Sequence, residues 1–379
     1  MAMTRRVMWV VLSVAICLVG ANIIGAATVT RTFTNPDPVY FNFTSYGFPG
    51  NHYDTTPYPS PIHIPAQPGV IDDISVTLYK AHCKTPADIN IKLVAPWATY
   101  YKGGVSLWCN AGGEYLCNQR NVTFNDNAAN YLPYNATIYS GTYKPTNHYG
   151  ILKFPHPCPD LQYYRSFTDA GILDLMFPVG TWKLWCYDDY ESYLDKAYLF
   201  GGWAITLTMR YNGIEMQGGT DVRGYNETPA GDPGATDCLF VQTTGGIFSS
   251  DYCQLTGPDM QQMLDDGTAP FDSLPALGTE GIQYWYVYHD GEMTGDATLT
   301  FTYDPAGLLP GVTEADLGVH HYYDGEWHFL GGVVDPVAHT VTVTVDGFSP
   351  FMLGVVPEPG TMVLMGLGLG SLLLRRRRR

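Results

Sequence analysis

Two histidines near the C-terminus have a spacing that could bind a metal ion. His321 and His328 lie on either side of Asp324-Gly325, a dipeptide that strongly favours a two-residue β-hairpin turn. In such a hairpin the two imidazoles are directly opposite each other and share a face with Tyr323 and Glu326. Opposed imidazoles suit zinc or copper when a third ligand is present. The sequence shows no third ligand, so an exposed polar face is the favoured interpretation and the metal site is the alternative.

A second set of potential ligands consists of four carboxylates in one short segment. They are Asp188, Asp189, Glu191 and Asp195. The segment follows a predicted strand, and oxygen ligands on such a loop are what Ca²⁺ prefers. We therefore consider a calcium site here, with a solvated acidic loop as the competing interpretation. No other cofactor is expected.

The cysteines predict disulfides. Cys17 lies in the N-terminal apolar segment, which leaves seven of the eight cysteines in the rest of the chain. Two couples are close enough in sequence to close one loop or hairpin each in an oxidising compartment. They are Cys109 with Cys117 and Cys238 with Cys253. The pairing of the other three, Cys83, Cys158 and Cys186, stays open, with either a free thiol or an intermolecular bridge for the odd one.

The sequence lacks the common catalytic signatures. It contains no Gly-x-Ser-x-Gly elbow, no His-Glu-x-x-His and no phosphate-binding loop. Residues 28–355 carry 13 basic and 35 acidic side chains, a net charge of −22. Such a surface repels nucleic acid and favours divalent cations or basic partners. We expect a protein that is not an enzyme and does not bind nucleic acid.

Strand-like alternation dominates the chain and predicts an all-β fold. Apolar and polar residues alternate with period two in several segments of residues 68–211 and again in residues 276–355. We predict a β-sandwich over each range, the C-terminal one being smaller. Residues 28–67 are expected to be irregular. Residues 212–275 are expected to form a linker with one short helix at 258–264.

Residues 1–27 have the features of a secretory signal peptide. Arg5 and Arg6 precede an apolar core from Val7 to Val19, and small residues lead up to Ala27. We predict export by the Sec machinery and cleavage after Ala27.

The C-terminal segment 356–379 has three parts. Pro357, Glu358 and Pro359 form a non-helical break. The apolar run from Met362 to Leu374 that follows is just long enough to span a slightly thinned bilayer as a transmembrane helix. Five arginines end the chain and are expected to hold the C-terminus in the cytoplasm. They are Arg375, Arg376, Arg377, Arg378 and Arg379.

This order of parts resembles the PEP-CTERM sorting signal of Gram-negative bacteria that produce exopolysaccharide. The alternative is an ordinary C-terminal anchor. The resemblance covers only the tail and implies recognition by a membrane transpeptidase, the exosortase, with processing near Pro357-Glu358-Pro359. It implies an inner-membrane intermediate followed by a location at the cell surface or outside the cell.

Three short sequence motifs in residues 68–211 resemble those of a P domain. They are His82 at the end of the first strand, Asp88-Ile89 with Pro96 in the second, and Thr181-Trp182 in the third. The P domain is the jelly-roll sandwich that follows the catalytic domain of proprotein convertases. The resemblance implies a jelly roll with a binding or stabilising role, and some P domains bind calcium.

These features predict an exported, non-enzymatic protein of the cell surface or of an exopolysaccharide matrix. The alternative is a calcium- or glycan-binding accessory module of an extracellular hydrolase system. Exposed aromatic rings could stack on sugars, but the sequence assigns no carbohydrate site.

Overall fold

The protein is built almost entirely of β-strands. In the computed structural model the described residues are 26–41, 57–148, 154, 156–173, 177–188, 197–265, 269, 271, 273, 282–308 and 312–355. They contain twenty-one strands and one α-helix, which confirms the predicted all-β fold. They form two compact units. The first reaches Gly213 and includes Gln262–Pro270, and the second comprises Ile214–Gln261 and the chain from Phe271 onward.

The first unit has two sheets. Its strands are β1 (Ala27–Asn35), β2 (Val39–Phe41), β3 (Ser60–Ile64), β4 (Val70–Cys83), β5 (Ile89–Thr99), β6 (Lys102–Cys109), β7 (Cys117–Phe124), β8 (Gly141–Tyr143), β9 (Thr146–Asn147), β10 (Gly180–Asp188), β11 (Ala197–Leu199) and β12 (Trp203–Tyr211). One sheet has the order β1-β12-β4-β11-β2, with β7 beside β4 and β8 beside β7, and the other has the order β3-β10-β5-β6-β9. The pairs β6–β9 and β7–β8 are parallel.

The core of the first unit takes side chains from both of its sheets. Ile74, Val76 and Leu78 of β4 belong to the same apolar cluster as Trp182 and Leu184 of β10, and each of these side chains is at most 1% exposed. Alternation in the sequence predicted these buried positions. Because two sheets share one apolar core, the unit is a β-sandwich. Its jelly-roll topology and the likeness to a P domain stay predictions.

Strand β5 is buried on both faces, which its alternation did not predict. Asn90 and Lys92 occupy the polar positions of β5 but are 0% and 4% exposed. A small cluster that includes Cys158, Tyr163 and Trp185 packs outside the main core. The segment that contains Cys158 and Tyr163 is distant in sequence, so no local pattern in β5 could show that its outer face is covered.

The second unit is one nine-stranded sheet. Its strands are β13 (Gly213–Tyr225), β14 (Thr236–Leu255), β15 (Ile282–His289), β16 (Met293–Thr302), β17 (Leu317–Tyr323), β18 (Glu326–Gly331), β19 (Val333–Asp335), β20 (Thr340–Val345) and β21 (Pro350–Val355). The order is β18-β17-β21-β15-β14-β16-β20-β19, with β13 beside β14. The helix α1 (Gly257–Asp265) follows β14 in sequence and confirms the short helix predicted at 258–264.

A bend in β14 folds this sheet over its own core. The first half of β14 pairs with β16 and the second half with β15. Between the halves, Gly245 and Gly246 have φ of +88° and +114°, which glycine adopts without steric cost. Thr236 and Ser250, fourteen residues apart on the same strand, therefore approach within 2.9 Å, Oγ1 to Oγ.

The side chain of Asn226 holds the two arms of β14 together. Asn226 is 3% exposed, and its Nδ2 donates to the carbonyls of Gly234 at 2.8 Å and Ser250 at 3.0 Å. Its Oδ1 accepts from the Thr236 amide at 3.0 Å. A buried amide with its donors and acceptor satisfied stabilises one arrangement of the chain, because every alternative leaves polar groups unpaired.

Two segments expected to be irregular contain strands, and these expectations are corrected. Residues 28–67 include β1, β2 and β3, and residues 212–275 include β13 and β14. In β1, exposed threonines alternate with residues that are only partly buried, so the strand lacks a clear apolar face. In β13 and β14, pairs of glycines suggest turns. Both features hide strands whose pairing is long-range. The second unit thus begins near Ile214 rather than at residue 276.

Both chain ends lie largely outside the described residues. Of the predicted signal peptide, Ala26 and Ala27 are described, and Ala27 pairs with Tyr211 at the start of β1. Cleavage after Ala27 would leave Thr28–Asn35 of that strand in place. Within the ranges described above, no helix is long and apolar enough to cross a bilayer. The transmembrane helix predicted at 362–374 falls outside those ranges.

Replacing Gly202 with alanine should destabilise the first unit strongly. Gly202 has φ of +66°, and an added Cβ would lie 2.0 Å from the carbonyl oxygen of Asn35. The φ value alone costs about 1–2 kcal/mol, and the contact with backbone adds to it. Urea unfolding should show a loss of more than about 2 kcal/mol. Gly141→Ala is the control, because its Cβ would make only ordinary contacts with Tyr143, and it should change stability by less than about 0.5 kcal/mol. Equal stability of the two variants would contradict the prediction.

Candidate functional site

The histidine hairpin forms as predicted. His321 pairs with His328 and Tyr323 with Glu326 across β17 and β18. The turn residues Asp324 and Gly325 have φ of +52° and +82°, as a type I′ turn requires.

The environment of His321 differs from the predicted exposed face. His321 is 4% and its neighbour His320 7% exposed, because β17 lies between β18 and β21 and is covered on both faces. The His321 ring stacks on Phe351 at 4.1 Å between centroids, and the His320 ring lies 5.0 Å from Phe329. The Nε2 atoms of both histidines are buried without a hydrogen-bond partner among the described residues. The expectation of an exposed polar face is therefore corrected for His321.

These surroundings favour neutral imidazole. Burial lowers the pKa of His320 and of His321 to about 4, and for His321 the nearby Asp346 opposes the shift. Neutral imidazole is the form that binds metal ions. However, no group of three or more His, Cys, Asp or Glu side chains with metal-binding geometry occurs in the described part of the chain. The third ligand that the metal hypothesis requires is thus not supplied there.

The proposed calcium loop is only partly within the described residues. Asp188 is the last residue of β10, is 5% exposed and pairs with Ile89. Asp189, Glu191 and Asp195 lie outside the described residues. The calcium site stays a prediction.

The strands separate the cysteines that were expected to pair. Cys109 is opposite Asn90 on β5, whereas Cys117 belongs to the other sheet and is opposite Cys83 on β4. Cys238 and Cys253 lie on different halves of the bent β14, opposite Leu299 and Tyr284. All seven are thiols in the structure. The sequence distance that suggested these couples does not reflect how strands pair.

A buried lysine forms a polar cluster that the sequence did not reveal. The Lys92 Nζ lies 3.8 Å from the ring centroid of Tyr163 and 4.1 Å from that of Phe154, which is cation–π geometry. Burial lowers the pKa of Lys92 to about 8. Cys158 Sγ lies 3.3 Å from the Tyr163 hydroxyl, and burial raises the pKa of this thiol to about 11. A protonated thiol is a poor nucleophile.

A second polar cluster joins Tyr303, Glu314 and His339. The Tyr303 hydroxyl donates to Glu314 Oε2, and His339 Nδ1 lies 3.2 Å from the same oxygen. The hydrogen bond from Tyr303, with the help of His339, lowers the pKa of Glu314. Burial, with Glu314, raises the pKa of Tyr303. The Glu314 carboxylate keeps its charge and the Tyr303 phenol its proton. Their hydrogen bond joins the end of β16 to Glu314.

The segment of residues 115–139, here called the insert, carries exposed aromatic rings. We name Tyr115, Tyr131, Tyr134 and Tyr139 the insert tyrosines; they are 48%, 54%, 54% and 61% exposed. Three of the rings have a positively charged or imidazole neighbour. Arg120 lies 5.5 Å from the centroid of Tyr139, Lys144 lies 5.8 Å from that of Tyr131, and His148 lies 5.3 Å from that of Tyr134. All three rings stay more than half exposed to solvent.

The buried histidines should make the second unit sensitive to acid. Their pKa is about 4 in the folded chain and about 6.5 when unfolded. The unfolded state therefore binds more protons between these values, so stability falls as pH drops from about 6.5 to about 4. The slope reaches about 1.4 kcal/mol per pH unit for each histidine. Urea unfolding of His321→Phe, which keeps the ring stack, should show a shallower slope than wild type.

The control for this measurement is Tyr225→Phe, which changes an exposed ring of the second unit and no histidine. It should keep the wild-type slope. A wild-type stability that does not change between pH 7 and 4.5 would contradict the prediction.

Comparison with known protein families finds the PEP-CTERM protein-sorting motif at residues 355–379. No curated protein and no solved structure matches the chain. The motif begins at Val355, the last residue of β21, so it covers the segment whose break, apolar run and arginines were identified in the sequence. The chain therefore carries a signal for sorting by an exosortase, and its destination is the cell surface or the outside of the cell.

Proposed function

We propose that this protein is a non-enzymatic structural or adhesive component of the cell surface or of an exopolysaccharide matrix. The Sec machinery exports it, and residues 356–379 hold it in the inner membrane. An exosortase then processes it near Pro357-Glu358-Pro359. The observation that carries the proposal is the sorting motif at residues 355–379.

The end of the folded body favours processing at this point. Val355 is the last residue of β21 and pairs with Leu317 of β17. A cut near Pro357-Glu358-Pro359 therefore removes the whole apolar run and the arginines but no residue of the described strands. The second unit keeps the hydrogen bonds of those strands after processing.

The side-chain clusters favour a structural role. His320 and His321 pack against aromatic rings, Lys92 lies between two rings, and Glu314 joins two side chains of the fold. Each of these side chains contacts other side chains of its own unit. The net charge of −22 on residues 28–355 keeps such a protein soluble outside the cell and favours divalent cations or basic partners.

Mass spectrometry of the mature C-terminus in the native host tests the proposal. We expect a C-terminus upstream of Met362, without the arginines. Replacing Pro357, Glu358 and Pro359 with alanine should leave full-length protein in the inner-membrane fraction. Glu326→Ala, which removes an exposed body carboxylate, should be processed like wild type. Full-length wild-type protein in soluble cytoplasmic extract would contradict the proposal.

The insert tyrosines favour a second candidate function, a glycan-binding accessory module of an extracellular hydrolase system. Sugar rings present flat C–H faces that stack on exposed aromatic side chains. Four exposed tyrosines lie in one insert, and three have neighbours that restrict their rings. Rings held in place lose less entropy on binding than mobile ones do.

Binding of the purified protein to the host exopolysaccharide tests this candidate. Each ring contributes about 0.5–1.5 kcal/mol by stacking. The triple variant Tyr131→Ala, Tyr134→Ala and Tyr139→Ala should therefore bind at least about tenfold more weakly. Tyr225→Ala, at a ring 46% exposed in the second unit, is the control and should bind normally. Unchanged binding by the triple variant would exclude the insert tyrosines as the contact.

A further inference from the structure

Two cysteines from distant parts of the first unit are brought face to face. Cys83 ends β4 and Cys117 begins β7, and the antiparallel register places them directly opposite each other. They are 4% and 0% exposed, and the Cys117 Sγ donates to the carbonyl oxygen of Ala81 at 3.5 Å. Opposite residues in such a pair have Cβ atoms about 4.5–5.5 Å apart. A small approach of the two strands brings them into the range of a disulfide.

The other cysteines have different cross-strand neighbours. Cys109 faces Asn90, Cys186 faces Ile91, Cys238 faces Leu299 and Cys253 faces Tyr284. Cys158 lies in a separate cluster beside Tyr163. Among the strand pairs that the structure describes, Cys83 and Cys117 are thus the couple in register.

We propose that Cys83 and Cys117 form a disulfide in the mature, exported protein. The inference rests on the proposed function, because export supplies the oxidising compartment in which disulfides persist. It replaces the Cys109–Cys117 couple that sequence distance suggested.

The bridge closes a loop that starts and ends in one sheet and contains two strands of the other. Residues 84–116 contain β5 and β6 of one sheet, whereas Cys83 and Cys117 belong to β4 and β7 of the other. The bond thereby fixes the point at which the chain returns to its first sheet. Residue 117 is also where the chain enters β7, which precedes Tyr131, Tyr134 and Tyr139. The disulfide anchors the start of the segment that carries these rings.

The chemistry is a thiol–disulfide exchange with a disulfide-carrying oxidoreductase of the cell envelope. One of the two thiols loses its proton to solvent, and its thiolate attacks one sulfur of the oxidoreductase disulfide and releases the other as a thiolate. The second cysteine then loses its proton to solvent and attacks the sulfur of the first cysteine in the mixed disulfide, which releases the second oxidoreductase thiolate. Two electrons pass to the oxidoreductase, which leaves as a dithiol after taking up two protons. Because both sulfurs are buried in the folded unit, the exchange takes place before the core closes.

Peptide mapping of the exported protein tests the proposal. Protein from the cell envelope or the medium is denatured without reductant, alkylated and digested. We expect a linked peptide pair that contains Cys83 and Cys117, lighter than the two thiol peptides by two hydrogens. Exported protein in which Cys83 or Cys117 is alkylated, or is linked to another cysteine, would overturn the proposal. In that case the export would still stand, since the location of the protein is scored separately.

Oxidation of the purified, reduced full-length protein tests the pairing independently of export. It is refolded with oxidised glutathione, and the Cys83–Cys117 link should form ahead of any other. A different first link would overturn the proposal, even if the chain proved to be cytoplasmic.

Thermal unfolding with and without dithiothreitol supplies a third measurement. Reduction should lower the melting temperature of the oxidised first unit by roughly 10 °C, from the loop-closure entropy of a bridge of this length. The double variant Cys83→Ala and Cys117→Ala should lose this dependence on reductant. The control Cys186→Ala changes another buried thiol and should keep it. If either variant fails to fold, the peptide map of the wild-type chain still decides.

Discussion

The register of strand β4 is the constraint on which the first unit depends. One edge of β4 pairs with β12 and β11, and the other pairs with β7. Ile74, Val76 and Leu78 are buried because they occupy alternate positions on the inward face. A shift of one residue would turn all three towards solvent. The same register places Cys83 opposite Cys117, so the packing of the core and the position of the sulfur pair have one cause.

The second unit differs from the first because a single sheet surrounds its core. A flat sheet of nine strands would leave one face exposed. The bend at Gly245 and Gly246 lets β14 pair with β16 before it and with β15 after it. Asn226 then bonds to both arms. Glycines permit the bend, and the asparagine makes it the preferred state, because its buried amide is satisfied only there.

The sorting motif and the exposed rings of the insert occupy different parts of the chain. The sorting motif starts where the last described strand ends, so a cut after Val355 would remove no residue of the described strands. Residues 28–355 carry a net charge of −22, and the insert carries four exposed tyrosines. Burial lowers the pKa of Lys92, His320 and His321, and the hydrogen bond from Tyr303 lowers the pKa of Glu314.

The sequence by itself determined the features that are local along the chain. Period-two alternation identified the core strands. Asp324-Gly325 identified the hairpin, and the break, apolar run and arginines identified the sorting motif. Each of these signals lies within a few residues of the structure or function that it predicts, so neighbouring residues suffice to read it.

Tertiary structure alone decided what depends on residues that are distant in sequence. The cover over the outer face of β5 buries Lys92, the placement of β17 between β18 and β21 buries His321, and long-range pairing makes strands of residues 28–67 and 212–275. The same cause brings Cys83 to Cys117 rather than Cys109 to Cys117. Strand pairing joins residues by register and not by sequence distance, and burial depends on every element that packs on a face.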